Sequence, residues 1–175
     1  IKNKYDFVTA FSFIDDTFTY DKEYMKKFFV RYKNEVGLPF VCLTTVNDVD
    51  DELLELMKDA NCDLVRFGVE STTDRICKNI IKRKFSEEKL RKVFKKCKDI
   101  GLRTFSYNMV AHPTETKEEI INTMLLNSEI QPSGIRISLG YPYKGTEYYE
   151  IAKKMGQLDE TTEYHNYSTG TKFKF

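Results

Sequence analysis

Apolar positions along this chain alternate between two rhythms. Short apolar runs end in acidic, glycine or proline residues, and a stretch with apolar residues at helical spacing follows each one. Residues 5–14 alternate and are rich in Phe and Val, which predicts a first strand. Residues 21–35 place Tyr24, Phe28, Phe29 and Tyr32 on one helical face, and Gly37-Leu-Pro39 ends that helix. Residues 40–44 predict a second strand. Asp50 is a suitable N-cap for a helix to residue 60 with Leu53, Leu54, Met57 and Ala60 on its apolar face. Leu64-Val-Arg-Phe-Gly-Val-Glu-Ser71 reads as a buried strand that stops at Glu70. Helical patterns follow over 73–81 and 87–100, with Ser86 as the second N-cap and Gly101 as the closing C′ glycine. Residues 103–110 predict a fourth strand. Thr116-Lys-Glu-Glu119 is a capping box opening a helix to about residue 128. A fifth strand over 134–139 and a last helix over 146–155 complete the pattern.

Strand and helix alternating in this way imply a parallel sheet with right-handed crossovers. Five such units fall short of a closed eight-stranded barrel, which needs about 250 residues. The expected fold class is therefore α/β, an open partial parallel β/α barrel resembling part of a TIM barrel. A doubly wound sheet is the alternative, although no Gly-rich turn follows the first strand. The core is expected over residues 1–156. Residues 157–175, with Tyr164-His-Asn-Tyr167, are polar and aromatic and form an extension with no assigned element.

Sites in parallel α/β proteins gather at the carboxyl ends of the strands. Phe11-Ser-Phe-Ile-Asp-Asp16, Glu70, Tyr107-Asn-Met-Val-Ala-His-Pro-Thr-Glu-Thr116 and Ile135-Arg-Ile-Ser-Leu-Gly-Tyr-Pro142 all fall there. These segments are the expected wall of one binding site.

Composition narrows the partners. The 175 residues carry 28 Lys and Arg against 27 Asp and Glu, a net charge of +1. That balance argues against a polyanion-binding surface, so no nucleic-acid partner is expected. No apolar run approaches the ~20 residues of a membrane span. The first residues lack the apolar core of a signal peptide, and the absence of an initiating Met suggests an internal segment of a longer protein. Cys42, Cys62, Cys77 and Cys97 form no C-x-x-C pair. They read as reduced, buried thiols of a cytoplasmic protein, and no metal ligands are assigned.

In order along the chain, Phe13-Ile-Asp-Asp-Thr-Phe18, Val49-Asp-Asp-Glu-Leu-Leu-Glu-Leu-Met-Lys58, Phe67-Gly-Val-Glu-Ser71, Pro113-Thr-Glu-Thr116 and Tyr141-Pro-Tyr-Lys-Gly-Thr146 resemble motifs of one family. The chain resembles the radical S-adenosylmethionine superfamily, most closely its cobalamin-binding branch, over about residues 5–156. The resemblance implies an enzyme in which a reduced 4Fe–4S cluster cleaves S-adenosylmethionine, and a 5′-deoxyadenosyl radical then abstracts hydrogen from a small-molecule substrate. It implies an electron donor for the cluster, with cobalamin as a further cofactor of that branch. The family's C-x3-C-x2-C cluster loop has no counterpart here, and the chain aligns from just after it. This segment alone is therefore expected to be inactive.

The resemblance also implies site residues. Asp15 and Asp16 fall where the family contacts the cofactor's amino group, an ammonium whose desolvation paired acids offset. Their alternative is an acidic turn. Glu70 falls on the ribose side, where a carboxylate accepts from both hydroxyls of a vicinal diol. Its alternative is a helix-start neighbour favoured by the dipole. Ser71 is either a site residue or the N-cap of the next helix. Ala111 to Thr116 is similar to a turn usually written Gly-x-Pro-Gly-Glu-Thr, with Ala111 and Thr114 in place of the glycines that let backbone approach adenine. Glu115 and Thr116 read as helix-start residues. Pro142, Gly145 and Thr146 resemble the last motif, with Lys144 in place of its proline. The cofactor-binding set is thus Asp15, Asp16, Glu70, Ser71, Ala111 and Pro142, with no catalytic side chain assigned.

Other polar residues carry further expectations. Thr45 stands where the family often has arginine, and Asn47 where it has Asp or Asn. The loss of arginine at Thr45 removes a fixed positive charge that bears on substrate choice. Arg66 and Arg136 read as outward strand residues, and Arg83 as part of the solvated run Lys82-Arg-Lys84. His112 at a strand end is a candidate proton donor, set against a structural role, and His165 is a second lone histidine. Two rival functions stay open. One is a cluster-free α/β module binding a nucleotide or sugar phosphate. The other is a degenerate scaffold acting through partners.

Overall fold

The computed structural model describes residues 5, 7–84 and 86–158. Five parallel strands, β1 (Phe11–Ser12), β2 (Phe40–Thr44), β3 (Cys62–Glu70), β4 (Arg103–Val110) and β5 (Gly134–Leu139), form one sheet in the order β1-β2-β3-β4-β5. Six α-helices accompany them: α1 (Lys22–Glu35), α2 (Asp51–Asp59), α3 (Asp74–Ile76), α4 (Glu87–Asp99), α5 (Lys117–Ile130) and α6 (Glu147–Lys154). Spatial order equals chain order, as expected when every crossover has one hand. The β2–β3 register runs Phe40↔Cys62 and Cys42↔Val65, with a bulge between Phe40 and Val41.

The contacts divide the chain into two compact units. One comprises the chain up to Gly68 with Glu88–Ser106 and Ile130–Gly134. The other comprises Val69–Glu87, Tyr107–Glu129 and the chain from Ile135. The division runs through β3, β4 and β5, so the carboxyl ends of these strands all belong to the second unit.

The first unit is held by an aromatic core. Phe29 of α1 stacks on Phe40 of β2 at 5.8 Å between ring centroids, and both are buried. Phe13, Phe18, Phe28 and Tyr32 pack edge to face around them. Burying one such ring stabilises by about 1.5–3 kcal/mol. Asp21 caps α1 by accepting from Tyr24 N at 3.0 Å, and Asp50 caps α2 by accepting from Leu53 N at 2.9 Å. Leu53, Leu54 and Met57 of α2 are fully buried. Phe94 of α4 packs on Phe67 of β3, with ring centroids 5.2 Å apart.

In the second unit, β4 and α5 are locked by a buried amide pair. Asn127 Nδ2 donates to Asn108 Oδ1 at 2.8 Å and to the Thr123 carbonyl at 2.8 Å. Each amide satisfies the other, so neither leaves an unpaired group in the core. The capping box forms as expected: Thr116 N donates to Glu119 Oε2 at 2.8 Å, and Glu119 N donates to Thr116 Oγ1 at 3.2 Å. Tyr149, Ala152 and Leu158 bury one face of α6, with Tyr148 against them.

Three expectations are corrected. The first strand is only Phe11–Ser12, because the chain leaves the sheet soon afterwards. The helix expected over 73–81 is the single turn α3 followed by a π-helical turn at Cys77–Ile81, ended by Lys82 in the left-handed region. The cap of α3 is Thr73, not Ser71. Elsewhere β2, β4 and β5 have the expected bounds, and Gly101 closes α4 at φ +67°. Of the expected extension, Gln157 and Leu158 are described and the rest, with His165, lies outside the described residues. All four cysteines are buried and free. Among the described residues no helix is long and apolar enough to cross a membrane.

Candidate functional site

In the first unit the two acids owe their position to a break in the ladder. Phe11 N donates to the Pro39 carbonyl and Phe13 N to the Val41 carbonyl, each at 2.9 Å. A regular parallel ladder would bring residue 15 to the Leu43 carbonyl next. Phe18 N takes that acceptor instead, at 2.9 Å. The intervening residues loop out of the sheet, which leaves Asp15 and Asp16 exposed and Ile14 87% exposed. The loop closes on a buried contact, Thr19 Oγ1 to Thr44 Oγ1 at 2.5 Å. The Thr45 hydroxyl bonds locally: it donates to Asp48 Oδ2 at 2.5 Å and accepts from Asn47 N at 3.2 Å. The Asn47 carbonyl accepts from Lys89.

The second unit carries Glu70, Ser71, Ala111 and Pro142. Glu70 ends β3 with φ +64°, a left-handed conformation that turns the chain out of the sheet. Its side chain is 21% exposed, and burial raises its carboxyl above the usual range. The Arg83 guanidinium, 3.5 Å away, offsets part of that shift. Arg83 stays exposed within the run Lys82-Arg-Lys84, as expected, and from there also reaches Glu70. Ser71 is fully buried, with its hydroxyl accepting from Thr73 N at 3.3 Å and its carbonyl from Cys77 Sγ at 3.0 Å.

Ala111 and Thr114 both lie in the left-handed region, at φ +62° and +67°. These are the two positions where the resembled turn has glycine. The backbone therefore keeps a glycine-like path without glycine, at a cost of roughly 1–2 kcal/mol each. Glu115 stabilises the path from one side: its Oε2 accepts from His112 N at 3.1 Å. Burial raises the Glu115 carboxyl, and the His112 and Ala111 amides offset part of the shift. Its Oε1 is buried without a hydrogen-bond partner, an acceptor left over at the turn.

Arg75 of α3 approaches the same turn. Its Nη2 donates to the Thr114 carbonyl at 2.8 Å and its Nη1 to Thr114 Oγ1 at 2.9 Å. Nε and Nη2 also grip the Glu119 carboxylate at 2.9 and 2.6 Å, which holds that carboxyl below its usual range. Thr114 N donates to Gln157 Oε1 at 3.1 Å. The end of β5 is tied to that of β4 through Gly140 N and the Val110 carbonyl at 2.8 Å. Pro142 is buried beyond it, and Thr146 caps α6 by accepting from Tyr149 N at 3.1 Å. His112, also buried, meets Tyr148 of α6.

Four of the six residues assigned from the sequence thus share the second unit, while Asp15 and Asp16 belong to the first. Sequence reading missed Arg75, Gln157 and Tyr148. Arg75 meets Thr114 and Glu119 across 39 and 44 residues, a spacing with no local periodicity to betray it. The available clue was indirect: Thr and Ala at glycine positions need outside support.

These residues suit an adenosyl ligand better than an iron–sulfur cluster. A half-buried carboxylate such as Glu70 can accept from both hydroxyls of a vicinal diol. Among the described residues no group of three or more His, Cys, Asp or Glu could hold a metal ion. The four buried cysteines do not make a cluster loop.

Comparison with known proteins shows the family and the fold. An uncharacterised methyltransferase of Pyrococcus horikoshii is 28% identical over 146 residues, which cover 83% of this chain and 32% of that protein. The cytidylyl-2-hydroxyethylphosphonate methyltransferase of Streptomyces wedmorensis is 29% identical over 160 residues, covering 87% and 30%. The radical S-adenosylmethionine methyltransferase TsrM of Kitasatospora setae, solved with cobalamin and a 4Fe–4S cluster bound, superposes at TM-score 0.70 and 16% identity. That match covers 78% of this chain and 26% of TsrM. The likeness shows the fold, an open partial parallel β/α barrel. The chain spans about a third of the length of the curated relatives it matches. The Radical SAM superfamily profile matches residues 1–126, and the chain belongs to that superfamily.

Proposed function

We propose that this chain supplies the strand-end wall that binds S-adenosylmethionine in a radical S-adenosylmethionine enzyme. The observation that carries the reading is the turn at 111–116, whose backbone is left-handed at both positions where the resembled motif has glycine. Side chains that strain such a backbone persist where the surroundings over-determine it, and such places are enriched in ligand sites. Glu70 accepts from the ribose hydroxyls, and the β4 and β5 end turns lie against the adenine.

The ligands of the 4Fe–4S cluster come from outside this chain. When bound, the cluster would supply the electron that cleaves the cofactor, and a separate donor would reduce it. Methyl transfer to a small-molecule substrate is the reaction class favoured by the named relatives, and TsrM was solved with cobalamin bound. A cytoplasmic setting suits four buried free thiols.

The test is the affinity of the full-length protein for S-adenosylmethionine, measured by calorimetry without oxygen. Glu70→Gln removes a charge that ribose hydroxyls contact, and a weakening of about tenfold is expected. Unchanged affinity removes Glu70 from the site.

A further inference from the structure

We infer that Arg75 is a positioning residue, which holds the strand-end turn at 111–116 in its glycine-like path through Thr114. The ligand that uses the turn, S-adenosylmethionine, rests on the reading above; the hold on the turn does not.

Thr114 is β-branched and has φ +67°, an uncommon conformation for such a residue. Left alone, it would relax toward an ordinary backbone and carry the turn with it. Each of its polar groups is instead tied from elsewhere. Its carbonyl and hydroxyl accept from Arg75, and its N–H donates to Gln157. The guanidinium is itself fixed by the Glu119 carboxylate, which also caps Thr116 N. One edge of the planar fork grips the carboxylate while the other reaches Thr114. A lysine ammonium, a single point of charge, cannot reproduce that division.

An ion pair open to water on one side contributes modestly by itself, and here Arg75 is 42% exposed while Glu119 is 13% exposed. Glu119 needs no arginine to cap α5, because it already accepts from Thr116 N. What Arg75 adds is the hold on Thr114. It supplies by hydrogen bonding the conformation that glycine would supply by lacking a side chain.

The experiment uses the full-length protein with Arg75→Gln, Arg75→Lys, Thr114→Gly and the double change Arg75→Gln with Thr114→Gly. Hydrogen exchange of peptides covering 109–117, without ligand, reads the turn directly. Calorimetry with S-adenosylmethionine reads its use. Arg75→Gln should speed exchange in the turn and weaken affinity, each about tenfold, and Arg75→Lys should behave like Arg75→Gln. Adding Thr114→Gly should bring the affinity of Arg75→Gln back to within about twofold of the wild type, although the ion pair with Glu119 stays broken. Unchanged exchange in Arg75→Gln, rescue by lysine, or a double variant as weak as Arg75→Gln overturns the inference. If wild type binds no S-adenosylmethionine while Arg75→Gln still loosens the turn, the functional reading falls and the positioning role stands.

Discussion

The Nδ1 atom of His112 lies 3.0 Å from the Tyr148 hydroxyl, while its Nε2 lies 3.1 Å from the Met109 carbonyl oxygen. A carbonyl only accepts, so Nε2 carries the proton and Nδ1 accepts from Tyr148. Both ring nitrogens are engaged, and the residue is buried. The contact pins α6 to the turn after β4. It makes His112 a structural link and not a free proton donor.

Burial pushes the His112 imidazole down to about 4, with its bond to Met109 opposing only part of the shift. Unfolded histidine titrates near 6.5. Between those values the unfolded chain takes up a proton and the folded chain does not, so stability falls as pH drops from 6.5 toward 4 and is complete above 6.5. The full loss is on the order of 3 kcal/mol. Glu119, held low by Arg75, acts in the same direction at acid pH. Glu70 and Glu115, raised by burial, act in the opposite one, because protonation relieves their cost. The histidine term is isolated by comparing urea midpoints of wild type and His112→Gln at pH 7 and pH 4.5. The two should converge at the lower pH. A constant gap would mean that His112 does not titrate on unfolding.

Replacing Ala111 with glycine should stabilise the fold. Alanine at φ +62° costs roughly 1–2 kcal/mol, and glycine's greater freedom when unfolded costs about 0.4–1 kcal/mol. The expected net gain for Ala111→Gly is about 0.5–1 kcal/mol by denaturant unfolding. A loss would show that the Ala111 methyl, which is buried, packs better than its backbone suffers.

Much of this fold was legible because its signals are local. Asp50 and Leu53, Thr116 and Glu119, and Gly101 at the end of α4 each sit within a few residues of the partner that gives them meaning. The strand ends were legible for the same reason, and Glu70 stops β3 where its apolar run stops. The rest depends on distant groups. Residues 5–14 alternate like a strand, yet the ladder breaks after Phe13 because Phe18, not residue 15, meets the Leu43 carbonyl. Arg83 is exposed among its lysines as the sequence suggests, but its approach to Glu70, 13 residues away, has no local signal. The support of Thr114 by Arg75 and Gln157 comes from separate elements, which no local pattern joins.

Gly134 is required for packing and not for its backbone angles. A Cβ there would meet the Phe105 ring at 2.6 Å, far inside contact distance. The ring would have to move, and Gly134→Ala should cost about 1–3 kcal/mol, as overpacked sites do. The companion change Phe105→Leu opens space at the ring edge and should return part of that loss. Equal stability of wild type and Gly134→Ala in urea would show that the ring swings aside freely.

The loop that presents Asp15 and Asp16 is closed by two buried hydroxyls, Thr19 and Thr44, that have each other at 2.5 Å. Valine is nearly the shape of threonine, so substitution tests the hydroxyls with little change in volume. Thr19→Val leaves the Thr44 hydroxyl without its partner in a buried place, at a cost of about 1–3 kcal/mol. Thr44→Val does the same to Thr19. Changing both removes donor and acceptor together, and an apolar pair of the same shape is close to neutral. The double variant should therefore be more stable than either single one, with a coupling of about 1 kcal/mol or more in urea unfolding. Additive losses would mean that each hydroxyl answers to something other than its neighbour, and that the loop is closed by its aromatic flanks, Phe13 and Phe18, whose rings stack 4.4 Å apart.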